Sequence, residues 1–178
     1  MDINKRYSLL TEICILMNRR DYNLSKIKLQ QLSYIFQELY SDYSFYDFKL
    51  FTYGPYSVEL ISDLDILCNN GYLIIEYSQG PECFGSKIDL GIKYKLLIEQ
   101  YKDYWKETEK QLSRVIDLFG NIETRYLELR GTIIYMNRKM GLKDIKKITE
   151  EINYIKPYFK DKEIEDAFND LHGLLDLV

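Results

Sequence analysis

Residues 48–77 constrain the fold of this chain more than any other segment, because two apolar stretches flank one amphipathic helix. The helix is indicated by apolar residues that recur at spacings of three and four. These residues are Leu60, Ile61, Leu64, Leu67 and Cys68. Pro55 presets one backbone angle in the turn before the helix, Ser57 is a candidate N-cap, and Gly71 ends the helix. The segment therefore predicts a strand, a turn, a helix and a second strand.

The surrounding sequence extends this pattern on both sides. Residues 7–17 and 26–40 each show a helical apolar stripe, and Ser25 is a candidate N-cap for the second of them. Residues 73–77 and 87–90 alternate in a way that predicts an antiparallel hairpin. Two helices, a third helix and a closing hairpin are typical of a winged helix, with the hairpin as its wing.

The second half of the sequence has only helical periodicity. A long amphipathic segment runs to Gly120, and its length predicts a kink or break near Thr108. Further helices are expected to end at Gly141 and before Pro157, and Asp161 is a candidate cap for the last one. The pattern predicts a bundle of about four helices.

The predicted fold class is therefore mainly α (α+β). We assign residues 1–91 to a winged-helix-like domain with a small β-hairpin, and residues 92–178 to a C-terminal helical bundle. The added helices also suggest a homodimer formed through the C-terminal half.

Charge is distributed unevenly along the chain. The net charge is −4, and residues 1–91 hold eight Lys or Arg against twelve Asp or Glu. In a DNA-reading winged helix the third helix needs bases or amides. Here it carries Glu59, Asp63 and Asp65 and no base, with Glu59 and Asp63 expected on its exposed face. The sequence thus favours a protein partner over nucleic acid.

A DNA-binding transcriptional regulator remains the alternative. Its contacts would come from bases outside the third helix, since phosphate contacts dominate DNA affinity. These bases are Arg19, Arg20, Lys26, Lys28 and Lys87.

The turn at residues 53–57 (YGPYS) is the candidate docking site. Two tyrosines flank a rigid turn at the start of the acidic helix, and aromatic rings are common anchors at interfaces. The alternative is that the rings pack within the turn. The predicted partner-binding residues are Tyr53, Pro55, Tyr56, Glu59 and Asp63.

Catalytic signatures are missing from the sequence. His172 is the single histidine, which excludes histidine triads and multi-histidine metal sites. Cys14, Cys68 and Cys83 lack zinc or redox spacing, and the first two are expected in the core. We expect a non-enzymatic protein without a metal or cofactor. The sequence also lacks a membrane-spanning run and a secretory signal, so the expected location is the cytoplasm.

Residues 28–34 (KLQQLSY) and 53–60 (YGPYSVEL) resemble the bacterial Panacea (SocA-like antitoxin) domain and the related, uncharacterised YwgA-like proteins. The similarity to the latter extends to residues 155–159 (IKPYF). In these proteins the position of Gln31 is commonly lysine, so a charge is lost from the second helix here. The resemblance implies an antitoxin or an adapter of a toxin–antitoxin or mobile-element system that acts by binding, and it supplies no catalytic residues.

Overall fold

A computed structural model describes residues 3–40, 44–77 and 86–175 of the chain. The helices are α1 (Ile3–Arg19), α2 (Lys26–Leu39), α3 (Val58–Asn69), α4 (Tyr94–Gln100), α5 (Lys102–Phe119), α6 (Thr124–Met140), α7 (Ile145–Ile155) and α8 (Asp161–Leu175). The strands are β1 (Lys49–Phe51), β2 (Gly54–Tyr56), β3 (Leu73–Tyr77) and β4 (Ser86–Leu90). The prediction of a mainly α protein with small antiparallel sheets is confirmed.

The strands form two separate antiparallel pairs. β1 pairs with β2 so that Leu50 lies opposite Pro55, and β3 pairs with β4 so that Ile75 lies opposite Ile88. The predicted hairpin after α3 is therefore confirmed, whereas the strand before α3 pairs within its own turn. The connection between β3 and β4, including Cys83, lies outside the described residues.

Helix ends follow the predicted signals in most places. The Ser25 hydroxyl accepts a hydrogen bond from the backbone N–H of Lys28 at 3.2 Å, so Ser25 caps α2 as predicted. Gly141 ends α6 with a φ of 70°, a left-handed conformation that favours glycine. α7 ends at Ile155, two residues before Pro157. These three boundaries therefore coincide with signals that neighbouring residues supply.

The predicted break near Thr108 is wrong. Thr108 is buried inside α5, and its hydroxyl donates to the carbonyl oxygen of Tyr104 at 3.2 Å, as in a continuous helix. The interruption lies at Tyr101, whose φ of −116° and ψ of 19° are not helical. Neither glycine nor proline marks this position, so the apolar periodicity passes through it without a signal.

One hydrophobic core contains residues from both halves of the chain. Tyr34 of α2 is fully buried and meets the ring of Phe48 edge-on, with 5.1 Å between ring centroids. The ring of Tyr135 of α6 lies 6.1 Å from Tyr34 on another side. The division at residue 91 stays a prediction, but α2 and α6 pack together rather than as separate bodies.

The described cysteines differ in burial. Cys14 lies in the core as predicted, and burial raises the pKa of its thiol to about 12. Cys68 is only half-buried.

Among the helices that the structure describes, none has the length and apolar composition that a membrane span requires.

Candidate protein-docking site

The side chain of Gln31 forms hydrogen bonds to the backbone of the turn between β1 and β2. The Gln31 Nε2 group donates to the carbonyl oxygen of Tyr53 at 2.8 Å and to that of Pro55 at 3.1 Å. Pro55 itself is buried. Two backbone acceptors thus share one donor group, and the two hydrogen bonds restrain the conformation of the turn.

Two glycines make room for this glutamine. Gly54 has a φ of 92°, and a Cβ atom there would lie 2.8 Å from Gln31 Nε2. A Cβ atom on Gly131 of α6 would lie 2.2 Å from Gln31 Oε1. Gln31 is 1% exposed, so it contributes to the interior and not to a surface.

The neighbouring residue, Gln30, fixes the start of α3. Gln30 Nε2 donates to the carbonyl oxygen of Ser57 at 2.9 Å, and the Ser57 N–H donates to Gln30 Oε1 at 3.0 Å. Ser57 occupies the N-cap position, but its hydroxyl makes no capping hydrogen bond. A buried side chain from α2 thus orients the first turn of α3 in place of the predicted serine cap.

The C-terminal half holds the same turn from the other side. Lys156 Nζ lies 2.7 Å from Glu128 Oε1, and it donates to the carbonyl oxygens of Thr52 and, at 3.4 Å, of Phe51. The Tyr158 hydroxyl donates to Glu128 as well. Burial, followed by the contact with Glu128, raises the pKa of Tyr158 above its ordinary value. The ammonium group therefore links α6, the residues after α7 and the β1–β2 turn.

This double support presents aromatic rings to solvent. Phe51 and Tyr53 are 54% and 56% exposed, whereas Tyr56 is half-buried and packs its ring 5.5 Å from that of Phe51. A groove of about 400 Å³ opens between the turn, α2 and α3. Its apolar lining includes Ile27, Phe51, Tyr53, Pro55, Tyr56 and Ile61. Rigid, exposed aromatic side chains beside an apolar groove are typical of interface anchors.

The two acids of the predicted site have different environments. Asp63 is 2% exposed, and its carboxylate lies 2.8 Å from Arg6 Nε and accepts a hydrogen bond from the Tyr46 hydroxyl at 3.0 Å. Its predicted position on the exposed face of α3 is wrong, because α1 packs against that side and supplies Arg6. Glu59 remains exposed, with a long 3.8 Å contact to the same arginine.

The arginines of the nucleic-acid alternative contact acids of α5. Arg19 lies 3.5 Å from Glu109, and Arg20 lies 2.6 Å from Asp117. Arg20 also donates to a serine hydroxyl of α5 and to a carbonyl oxygen of α1. These guanidinium groups would have to exchange intramolecular partners for phosphates.

The lysines of that alternative also have partners. Lys87 lies 2.9 Å from Asp89, and Lys28 donates to the carbonyl oxygen of Gly120 at 3.1 Å. Lys26 lies over the ring of the last tyrosine of β3, at 5.6 Å from its centroid. Each of these five bases therefore has at least one intramolecular contact.

Three separated sequence segments converge at the β1–β2 turn. Residues 28–34 supply Gln31, residues 53–60 form the turn and the start of α3, and residues 155–159 supply Lys156. Spacing along the chain did not identify Gln31, Glu128 or Lys156 as site residues. For Gln31 and Lys156 the available signal was the joint appearance of these three segments in the resemblance, whereas Glu128 lies outside all three.

The described ranges contain no group of three or more His, Cys, Asp or Glu side chains arranged to hold a metal ion. His172 is exposed, and its ring stacks 6.1 Å from that of Phe168. The chemistry at the turn is thus that of aromatic and apolar surface with one exposed carboxylate.

No protein-family model matches the chain. The chain is similar to the uncharacterised protein YwgA of Bacillus subtilis (strain 168). The two are 29% identical over 154 residues, which cover 85% of this chain and 87% of that protein. This similarity supports a relationship to YwgA-like proteins over most of the chain, while a relationship to the Panacea domain stays a prediction.

Proposed function

We propose that the chain is a non-catalytic protein-interaction module that docks one partner protein at the β1–β2 turn. The observation that carries the proposal is the combination of exposed Phe51 and Tyr53 with backbone carbonyls held by Gln31 and Lys156. A surface that is already ordered loses little conformational entropy on binding. Exposed aromatic rings supply apolar contact area at low entropic cost.

The partner we propose carries an apolar anchor and at least one basic side chain. The anchor fits the groove beside Phe51 and Tyr56, and the base fits the exposed Glu59 at the start of α3. Opposite charges at the rim of an interface favour association and orient the partner. The exposed acids of α3, Glu59 and Asp65, also disfavour contact with a phosphate backbone.

A finer proposal concerns the biological role. We propose that the partner is a toxin or another protein of a mobile element, with the present chain as antitoxin or adapter. The support is the resemblance of residues 28–34 and 53–60 to the Panacea domain, and it is an analogy at the level of the family.

The test uses affinity capture of the full chain from its native cells, with quantitative mass spectrometry. The variant Phe51→Ala/Tyr53→Ala should lose its specific partner, and Tyr126→Ala should keep it. Tyr126 is an exposed tyrosine on α6 outside the groove, so it controls for loss of an exposed ring. The identified partner is then purified, and its Kd for each variant is measured.

Two outcomes would contradict the docking surface. Retention of every specific partner by the double variant would do so, and so would binding of mixed duplex DNA at low salt with a steep loss of affinity as salt increases. Light scattering on each variant separates a lost partner from a changed oligomeric state. For the finer proposal, coexpression with the captured partner should relieve growth inhibition only when Phe51 and Tyr53 are intact.

A further inference from the structure

A second cleft lies beside α1, and neither Arg6 nor Asp63 lines it. It has a volume of about 640 Å³ and is bounded by α1, α4, α5 and the end of β4. Ile15, Leu90 and Ile98 give it apolar walls, and Tyr94 adds an aromatic ring. A cleft of this size with apolar walls is suited to a small ligand or to one side chain of a larger one.

The floor of this cleft contains a carboxylate that has no hydrogen-bond donor among the described residues. Glu12 of α1 is 4% exposed and lines the cleft. None of the described residues donates a hydrogen bond to its carboxylate. A buried carboxylate normally has a donor or a cation beside it, because desolvation without a partner is costly. The lack of a donor among the described residues is the feature that points to a ligand.

The remaining acids of the cleft already have cations. Glu99 lies 2.9 Å from Lys102, and Glu109 lies 3.5 Å from Arg19. Both pairs are exposed at the rim, whereas Glu12 lies deeper. A cation that enters the cleft would therefore meet Glu12 as the carboxylate without an ion pair among its described lining residues.

We propose that this cleft binds a primary ammonium group on an aliphatic stem, with the Glu12 carboxylate accepting hydrogen bonds from the ammonium and Ile15 and Ile98 covering the stem. The ammonium supplies the donors that the carboxylate lacks, and the apolar walls remove the stem from water. A ligand with one charge is favoured, because Arg19 and Lys95 at the rim repel polycations.

The protonation behaviour of Glu12 agrees with this assignment. Burial raises the pKa of Glu12 to about 7, Arg19 opposes the change and Glu109 adds to it. The other charged groups around the cleft are Lys95, Glu99 and Lys102. Free lysine, arginine and glutamate side chains change charge outside pH 6 to 8. If only ionised Glu12 accepts the ammonium, affinity should rise about tenfold between pH 6 and pH 8.

The experiment titrates the full chain with n-butylamine and, separately, with Nα-acetyl-lysine amide, followed by NMR chemical shifts at pH 6 and pH 8. Wild type should bind more tightly at pH 8, and Glu12→Gln should bind at least tenfold more weakly at that pH. Glu99→Gln is the matched control, because Glu99 lines the same cleft but is paired with Lys102. This control should bind like wild type.

A second variant keeps the proposal testable if Glu12→Gln does not fold. Ile98→Trp fills the cleft without changing Glu12, and it should abolish binding while the NMR spectrum stays folded. Binding of the free amine alone assigns the cleft to a small amine, and binding of the lysine derivative assigns it to a peptide lysine. The proposal is overturned if neither ligand shifts the cleft resonances at tens of millimolar, if Glu12→Gln binds like wild type, or if affinity does not change with pH.

Discussion

Lys156 and Glu128 form an ion pair of 2.7 Å in which the two side chains are only 4% and 6% exposed. The pair joins residues 28 positions apart, and the same ammonium reaches the carbonyl of Thr52, 104 positions away. Removal of one partner leaves an uncompensated buried charge, whereas removal of both does not. The pair therefore links the docking turn to the C-terminal helices.

We predict that Lys156→Met lowers the free energy of unfolding by about 3 kcal/mol or more, because Glu128 and the Thr52 carbonyl lose their shared donor. Urea denaturation measures the change. Amide hydrogen exchange at residues 51–54 should also become faster, since the turn loses its support from this side.

Two further variants make this prediction specific. The double variant Lys156→Met/Glu128→Leu should be more stable than Lys156→Met alone, because it leaves no buried charge without a partner. Lys162→Met removes an exposed pair with Asp166, at 3.8 Å, and should change stability by less than about 0.5 kcal/mol. Equal losses for Lys156→Met and Lys162→Met would contradict the assigned role.

We predict that Gly54→Ala destabilises the chain by about 2 kcal/mol. The φ of 92° is unfavourable for alanine, and the new Cβ atom would displace Gln31 from the turn carbonyls. Gly141→Ala is the matched control, with a φ of 70° and open space around the site. It should cost only about 1 kcal/mol, from the backbone term alone. Thermal or urea unfolding of the two variants measures the difference, and a larger loss for Gly141→Ala would be inconsistent with packing at Gln31.

Local sequence signals predicted the helices and their ends better than the site. The Ser25 cap, the Gly141 stop and the hairpin after α3 depend on neighbouring residues, so they could be inferred from the sequence. The break at Tyr101 has no such signal. Neither glycine nor proline stands at this position.

The burial of polar residues was the part that the sequence did not reveal. Asp63 stands three residues after Leu60 and four before Leu67, so the helical period places it at the edge of the leucine stripe of α3. What the period does not show is that Arg6 and Tyr46 enclose its carboxylate from other elements. Lys156 stands between an isoleucine and a proline, and its burial as a charged group depends on Glu128. Pairs of this kind are tertiary, and the period of one helix contains no information about them.

Acid should weaken the contact between α6 and α8. Arg125 donates to both carboxylate oxygens of Glu163, at 2.5 Å and 3.1 Å, and this contact, with the Lys160 N–H, lowers the pKa of Glu163 to about 2. A lowered folded-state pKa gives stability above the ordinary value of 4.5 that is lost as pH falls toward 2. Glu163→Gln should therefore lose less stability than wild type between pH 4.5 and pH 2, as measured by urea unfolding. An identical acid dependence in both would contradict this.

Glu12 should produce the opposite pH dependence. Burial raises the pKa of Glu12 from 4.5 to about 7, so the folded chain binds more protons than the unfolded chain between these values. The contribution to stability is complete below pH 4.5 and declines as pH rises to about 7. We predict that Glu12→Gln is more stable than wild type at pH 8 by about 2 kcal/mol, since the amide has no charge to desolvate.

Urea unfolding at pH 5 and pH 8 measures this difference in wild type, Glu12→Gln and Glu99→Gln. Glu99 is exposed and paired with Lys102, so its variant should keep the wild-type pH dependence. Addition of n-butylamine should raise wild-type stability at pH 8, because a ligand bound only by the folded chain favours that state. The amine should leave Glu12→Gln unchanged. The prediction is contradicted if wild type becomes more stable between pH 5 and pH 7 and its free energy of unfolding equals that of Glu12→Gln. Glu12 would then ionise in that range without a cost in stability.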